Sequence, residues 1–236
     1  TTTNLTVTAG TLDLVSNSLT VSTTLSNSGT IKLKGDNTSV SAVTGGTVEY
    51  YGTGSYTGLK AGYSYTNLTF SGTGTYDIQS NSLTVSGTLS NSGTIKLVGD
   101  NASVKAITGG TVQYTGTSSY TGLIAGYNYT NLTLAAGTYN IQNNALTVSG
   151  TLSNSGTISC GTGTISIPNA ASGNFTFTDT NNIPAATYST LTVNASTKTL
   201  TLSGSITTTN LTVTAGTLDL VSNSLTVSTT LSNSGT

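Results

Sequence analysis

The sequence predicts an all-β protein of the parallel β-helix, or β-solenoid, class, with about ten coils of roughly 20 residues in each long period. Three observations predict it. Residues 207–236 repeat residues 1–30 without a change, which sets a period of 206 residues. A shorter repeat recurs inside that period, and short stretches rich in Thr, Val, Ile and Leu alternate apolar with hydroxyl-bearing residues.

The inner repeat divides one continuous solenoid, predicted over residues 1–236, into three sub-repeats. These are residues 19–82, 83–145 and 146–224, which begin LTVSTTLSNSGTIKL, LTVSGTLSNSGTIKL and LTVSGTLSNSGTI. Coils of this length cannot bury their apolar face alone, so stacking must bury it. With strands about 4.8 Å apart, one period predicts a rod of roughly 50 Å. A tandem β-sandwich array is the competing fold, but it needs about 100 residues per domain and longer strands.

The elements follow in a fixed order within the second sub-repeat. LTV, TIKL, SVKAI, TVQY, NLTL and TYNI are each predicted to be a strand, because their side chains alternate with period two. Gly, Asn and Ser lie between them, and these residues favour turns. Asn27, Asn91 and Asn154 occupy the same place in S-N-S-G-T. We predict that they turn the chain while their amides bond neighbouring backbone.

Composition excludes several classes of function. Only 6% of the residues are charged and the formal net charge is −1, which argues against a nucleic-acid partner. No apolar run is long enough for membrane insertion. The chain lacks His and Arg, and its acidic residues form no recurring pair, so we predict that it is not an enzyme and has no cofactor. The Gly35-Asp36-Asn37 and Gly99-Asp100-Asn101 loops are candidates for calcium, but an ordinary polar turn is the favoured interpretation.

Tyrosines and one cysteine are the remaining candidates for a site. A cluster recurs in two sub-repeats and would form either a surface ladder for sugars and partner chains or, preferably, core and groove packing. Its members are Tyr50, Tyr51, Tyr56, Tyr63, Tyr65, Tyr114, Tyr120, Tyr127 and Tyr129. Cys160 is the single cysteine, and it is either a buried thiol, which we favour, or a crosslink between chains.

The repeated G-T-L-S-N-S-G-T-I stretch resembles the β-helical passenger repeats of filamentous-haemagglutinin-like adhesins and autotransporters. The Y-x-N-L-T-x-x-G-x-x-T/Y-x-I pattern is similar to repeats of giant Thr/Gly-rich bacterial surface proteins. The resemblance covers nearly the whole chain and implies a right-handed parallel β-helix, secretion, and adhesion or matrix building. It carries over no catalytic residue, and the secretion domain and cap of such adhesins do not occur in these residues.

The expected function is therefore an extracellular or cell-surface structural or adhesive fibre. Its expected partners are copies of itself, end to end or side by side, and cell-surface or matrix carbohydrate. Two alternatives stay open. Thr-x-Thr pairs at residues 6–8 and 199–201 would suit an ice-binding β-solenoid, and a viral tail-fibre segment would also use repetitive β-structure.

Overall fold

A computed structural model of the protein describes residues 1–142, 144–160, 165–166, 171–177, 182–183 and 185–236. These residues form no helix, and their parallel sheets stack as a β-solenoid of about 11 turns. The predicted fold class is confirmed. Because the pairing is parallel, the tandem β-sandwich, whose sheets are antiparallel, is the wrong alternative. The chain divides into two compact units, Thr1–Val112 and Gln113–Thr236, which are described separately.

Twelve strands lie within the first unit, and β13 (Thr111–Tyr114) lies at the division. They are β1 (Thr2–Val7), β2 (Thr11–Asp13), β3 (Val21–Asn27), β4 (Thr30–Leu33), β5 (Thr47–Tyr50), β6 (Ser55–Thr57), β7 (Ser64–Tyr65), β8 (Asn67–Phe70), β9 (Thr75–Asp77), β10 (Thr84–Val85), β11 (Leu89–Asn91) and β12 (Thr94–Leu97).

Strands about one coil apart in sequence pair in parallel in the first unit. Leu5 lies opposite Leu25 and Leu68 opposite Leu89, so the stacking repeats every 20 or 21 residues at these two places. The strands β4, β5 and β8 alternate half-buried with fully buried residues, which is the predicted period of two. The inward side chains of these three strands form the core: Ile31, Leu33, Val48, Tyr50, Leu68 and Phe70.

The main sheet of the first unit runs diagonally through the coils. Its order is β2-β4-β5-β8-β11, so a TLD strand begins it and an LSN strand ends it. The strands of this sheet do not occupy the same position in every coil. β4 pairs with β2 on one side and with β5 on the other, and β5 in turn pairs with β8 of the following coil. The sheet therefore ends at β11, just as the two-stranded β1-β3 sheet ends at the equivalent strand β3.

The second unit contains the remaining twelve strands. They are β14 (Ser119–Thr121), β15 (Asn128–Tyr129), β16 (Asn131–Leu134), β17 (Thr138–Gln142), β18 (Leu146–Val148), β19 (Leu152–Cys160), β20 (Ile165–Ser166), β21 (Ala171–Phe177), β22 (Asn182–Ile183), β23 (Thr187–Leu202), β24 (Ile206–Asp219) and β25 (Leu225–Asn233).

Stacking in the second unit continues in one column. β14, β17, β19, β21, β23, β24 and β25 pair in that order, each in parallel with the next. The difference from the first unit arises at β19, where the LSN and TIS stretches form one uninterrupted strand. That strand pairs with β16 through Leu152 and with β17 through Thr157. We call the end of a sheet at an LSN stretch, as at β3 and β11, a fork, and β19 has none.

Candidate functional site

The inner tyrosines lie in the core, so the surface-ladder interpretation is wrong for them. Tyr50, Tyr65, Tyr114 and Tyr129 are buried, each less than 5% exposed. They lie at inward positions of β5, β7, β13 and β15, where the alternation of the strand directs them to the interior. Because only the surface of a coil is available to sugars, these four tyrosines offer no binding ladder.

Hydrogen bonds account for the hydroxyl groups of these buried tyrosines. In the first unit the hydroxyls of Tyr50 and Tyr65 lie 3.2 Å apart, and the N–H of Ala61 donates to Tyr50 at 3.0 Å. The Tyr65 hydroxyl donates to the carbonyl of Gly62. The same set recurs in the second unit: the Tyr114 and Tyr129 hydroxyls are 3.0 Å apart, and the N–H of Ala125 donates to Tyr114 at 3.0 Å.

Burial changes the acidity of these phenols. Loss of hydration disfavours the charged phenolate, and it raises the pKa of Tyr50 and of Tyr114 to about 12. The pKa of Tyr65 and that of Tyr129 also lie well above the ordinary value of 10.0, again chiefly because of burial. Both pairs are therefore neutral hydrogen-bonded clusters near pH 7, with a structural role.

Tyr56, Tyr63, Tyr120 and Tyr127 are half-buried. Tyr56 stacks on buried Tyr76 with ring centroids 4.9 Å apart, and Tyr120 stacks on Tyr139 at 5.0 Å. One face of the Tyr56 ring and one face of the Tyr120 ring therefore pack against a neighbouring coil. Tyr51 is also half-buried, and the Nζ of Lys32 is 5.0 Å from its ring centroid. In each unit the stacked ring pair lies at the start of a column of paired strands, which begins with β6 in the first unit and with β14 in the second.

Two of the predicted turn asparagines close the ends of the diagonal sheets. Asn27 is buried at the end of β3, and its Nδ2 donates to the carbonyls of Gly45 at 3.1 Å and Thr47 at 3.3 Å. Asn91 does the same at the end of β11, with Gly109 at 3.1 Å and Thr111 at 3.4 Å. The predicted bond to backbone is present, but the backbone belongs to the next coil. The side-chain amide thus donates to carbonyls of the next coil in place of the strand that is absent where the sheet ends.

The third turn asparagine, Asn154, has a different setting. It is buried within β19, at a position opposite Leu134 of β16. Because β19 continues beyond it without a break, Asn154 does not end a sheet.

Sequence reasoning missed a second set of asparagines inside the G-D-N loops. Asn37 is fully buried; its Oδ1 accepts from the N–H of Gly35 at 3.2 Å, and its Nδ2 donates to the carbonyls of Val15 at 3.1 Å and Asn17 at 2.7 Å. Asn101 repeats this arrangement on the carbonyls of residues 79 and 81. The sequence signal that could have identified these asparagines is the recurrence of G-D-N at positions 64 residues apart. These loops thus bind backbone, as the polar-turn interpretation predicts.

The carbonyls that these asparagines bind come from a repeated corner. At the first copy, Val15 has a φ of 52°, the Asp13 carboxylate accepts its N–H at 2.9 Å, and Asn17 Nδ2 donates to the Leu14 carbonyl at 3.0 Å. A positive φ is sterically unfavourable for a residue that has a Cβ, such as Val15. The hydrogen bonds made by the side chains of Asp13 and Asn17 stabilise this backbone conformation. The other left-handed corner residues are Gln79, Gln142 and Val221.

The outer surface differs between the two units. In the first unit a cross-strand row places Lys32 between Asp13 and Glu49, and the Lys32–Glu49 ion pair is 3.3 Å long. In the second unit two outer columns flank the buried column that includes Leu191 and Leu211, and every position in them is Ser, Thr or Asn. The columns are Ser119, Thr138, Thr157, Asn174, Thr190, Asn210 and Thr230, and Thr121, Asn140, Ser159, Thr176, Thr192, Thr212 and Ser232.

We call these two columns the hydroxyl–amide face. Their members lie about 4.8 Å apart along a column and about 7 Å apart across it, from the geometry of a parallel sheet. Thr190, Thr192 and Thr212 are half-buried, so their side chains reach solvent, whereas the side chain of Asn174 lies outside the described residues. Sequence reasoning noted the Thr-x-Thr pairs but could not align them, because their register depends on which coils stack.

Other predicted sites find less support. The backbone of Cys160 pairs with Gln142 and Phe177, but its side chain lies outside the described residues, so both interpretations of the thiol stay open. No group of three or more metal-ligating His, Cys, Asp or Glu side chains occurs in the described part of the chain. Nor do the described residues contain a helix that could cross a membrane.

Comparison with known proteins finds no matching family model, no matching curated protein and no matching solved structure. The resemblance to haemagglutinin-like adhesins is therefore supported only as a β-solenoid repeat fold.

Proposed function

We propose that the chain is part of an extracellular structural or adhesive fibre in which the 206-residue unit occurs in tandem. The observation that carries this proposal is the parallel stacking of each coil on its neighbour combined with the identity of residues 1–30 and 207–236. A solenoid coil contacts only adjacent coils, so added units lengthen the protein without enlarging its core. Self-association and an extracellular location are parts of the proposal.

The composition suits such a fibre. Charged residues make up only 6% of the chain, so neighbouring rods would repel each other little. Six Lys and no Arg leave few sites for trypsin-like proteases outside a cell. The hydroxyl–amide face offers donors and acceptors for cell-surface or matrix carbohydrate, or for a second rod.

Electron microscopy of the native protein tests the fibre. We expect thin rods whose length increases by about 50 Å for each additional tandem unit, from the strand spacing. The matched control is a single unit, which should give short particles under the same conditions. Separate globular beads along a flexible chain would overturn the proposal.

An ice-binding function is the second candidate, and the hydroxyl–amide face is the observation that favours it. Fixed hydroxyl spacings in two directions can hold water molecules in a regular array, and the face has no charged position to disturb them. Thermal hysteresis tests this candidate. We expect Thr192→Lys with Thr212→Lys to abolish hysteresis and Ser222→Lys, at an exposed corner, to leave it unchanged. Absence of hysteresis in the unmodified protein would dismiss the candidate.

A further inference from the structure

One stretch of sequence occurs twice in this chain, in two different surroundings. Leu25 of the first copy is half-buried, whereas its counterpart Leu231 is 63% exposed. Asn27 is only 5% exposed, whereas its counterpart Asn233 is exposed. Because the residues are identical, their surroundings alone account for the difference. In the first copy, the residues that follow Thr30 provide the cover.

Residues 31–50 cover the first copy by strand pairing and side-chain contacts. Leu12 lies opposite Ile31 in the β2–β4 pair, and Asp13 lies opposite Lys32. The N–H of Leu14 donates to the Lys32 carbonyl at 3.0 Å. The pairing continues outward, since the N–H of Lys34 donates to the Val15 carbonyl at 3.2 Å. This contact defines what fits the sequence of residues 1–30: an Ile-Lys-Leu-Lys strand and the loop after it.

The second copy presents the same groups as an open apolar depression. It has a volume of about 160 Å³ and an apolar lining formed by Leu211, Val213, Leu218, Leu220, Leu225 and Leu231. These residues correspond to Leu5, Val7, Leu12, Leu14, Leu19 and Leu25 of the covered copy. We call this depression, with Asp219 and Asn233 beside it, the C-terminal socket. Asp219 is the counterpart of Asp13, which faces Lys32 in the covered copy.

Asn233 differs from Asn27 in its hydrogen bonds. In the covered copy, Asn27 Nδ2 reaches the next coil and donates to the carbonyls of Gly45 and Thr47. In the socket, Asn233 Oδ1 instead accepts the N–H of Gly235 from its own turn, at 3.0 Å. The same side chain therefore has a local arrangement when uncovered and a bridging arrangement when the next coil is in place.

We propose that the C-terminal socket is a docking site for residues 31–50 of the same 206-residue unit whose first 30 residues are residues 207–236. Docking reproduces the contact between residues 1–30 and 31–50: Ile31 and Leu33 of the incoming copy close the apolar depression, and its Lys32 lies opposite Asp219. Asn233 turns to bind the incoming Gly45 and Thr47. This inference rests on the proposed tandem arrangement and names the junction between residues 1–30 and residues 31–50 of a unit.

Hydrogen exchange on an extended chain tests the junction. The chain of residues 1–236 is followed directly by a second copy of residues 31–60, and amide exchange is compared with that of the chain without this addition. We expect the N–H of Leu220, the counterpart of Leu14, to exchange about tenfold more slowly or less in the extended chain. We also expect the Asn233 side-chain amide to become protected. Unchanged exchange at both groups would overturn the proposal.

Two variants of the extended chain separate specific docking from a general effect. Aspartate in place of Ile31 and Val48 within the added copy only should abolish the protection, since it puts charge into the apolar contact. Ser189→Asp changes an exposed residue of β23 outside the socket lining and should leave the protection intact. Exchange across residues 31–112 reports whether the chain is folded in each case. Docking without rods in the microscope would contradict the fibre while retaining the junction.

Discussion

At the scale of single residues, buried amides connect one coil to the next. Asn37 and Asn101 each make three hydrogen bonds, and two of the three go to carbonyls of the preceding coil. A side chain that both donates and accepts can satisfy a corner whose backbone groups have no strand to pair with. The sequence predicted that Asn27 and Asn91 bond neighbouring backbone, but it could not identify the partner, because the partner is some 20 residues away.

Replacement of a loop asparagine should therefore be costly. We expect Asn101→Ala to destabilise the protein by about 3 kcal/mol, because the carbonyls of residues 79 and 81 and the N–H of Gly99 lose their partner in a buried place. The urea midpoint measures this loss. Asn128→Ala, at an exposed position of β15, is the matched control and should cost less than about 0.5 kcal/mol. Equal losses in the two variants would contradict the role assigned to Asn101.

The buried tyrosines predict alkaline unfolding. Below pH 10 the phenols are protonated in both the folded and the unfolded chain, so stability is full. Above it the unfolded chain ionises while Tyr50 and Tyr114 stay protonated until about pH 12, so stability falls across that interval. Two units of pKa correspond to about 3 kcal/mol for each group. Circular dichroism and tyrosinate absorbance should change together.

Tyr50→Phe provides the control for that pH dependence. It removes one ionising group along with the hydrogen bond from Ala61, so stability at pH 7 should fall by about 1 kcal/mol. Stability should then decline less steeply above pH 10 than in the unmodified protein. An unchanged slope would mean that Tyr50 does not contribute to the alkaline transition.

At the scale of elements, most strand positions were predictable and sheet membership was not. The prediction of a strand at SVKAI is wrong, because these residues contribute only an isolated β-bridge between Val104 and Leu83. TIKL, TVQY and NLTL alternate clearly, and the structure has strands at each of them. The diagonal order β2-β4-β5-β8-β11 depends on which edge of each strand meets the next coil, and period-two alternation carries no information on that. The fork at Asn91 needs two glycines, Gly109 and Gly110, to pass over the end of β11.

The fork provides a test at Gly110, whose φ is 48°. A Cβ there would lie 2.3 Å from the carbonyl oxygen of Gly93 and 2.6 Å from Asn91 Nδ2. We expect Gly110→Ala to lose about 3 kcal/mol or more in thermal or urea unfolding, because steric overlap adds to the unfavourable φ.

Gly10→Ala separates the two causes. Gly10 also has a positive φ, of 74°, but nothing lies within 4 Å of an added Cβ. Only the backbone term, about 1 kcal/mol, should be lost in that variant. A loss as large as that of Gly110→Ala would remove the steric explanation of the fork.

At the scale of the whole molecule, stacking makes stability local. We expect Ile31→Ala, which empties a fully buried position in β4, to cost about 2–4 kcal/mol. Hydrogen exchange should accelerate most in the paired strands β2 and β5 and progressively less towards β12, since each coil depends on its neighbours. Uniform acceleration through residues 1–112 would instead indicate a single cooperative unit.

The parallel stacking of one coil on the next also determines how the protein would respond to tension. Hydrogen bonds between parallel coils lie along the stacking direction, so a pull in that direction loads every coil boundary equally and the boundaries open one after another. A coil adds only about 4.8 Å while stacked, but its roughly 20 residues reach about 70 Å when extended. A fibre of such coils would lengthen stepwise under load, dissipating energy at each step and restacking when the force falls. Extensibility would then be a property of every coil boundary, independent of the number of units.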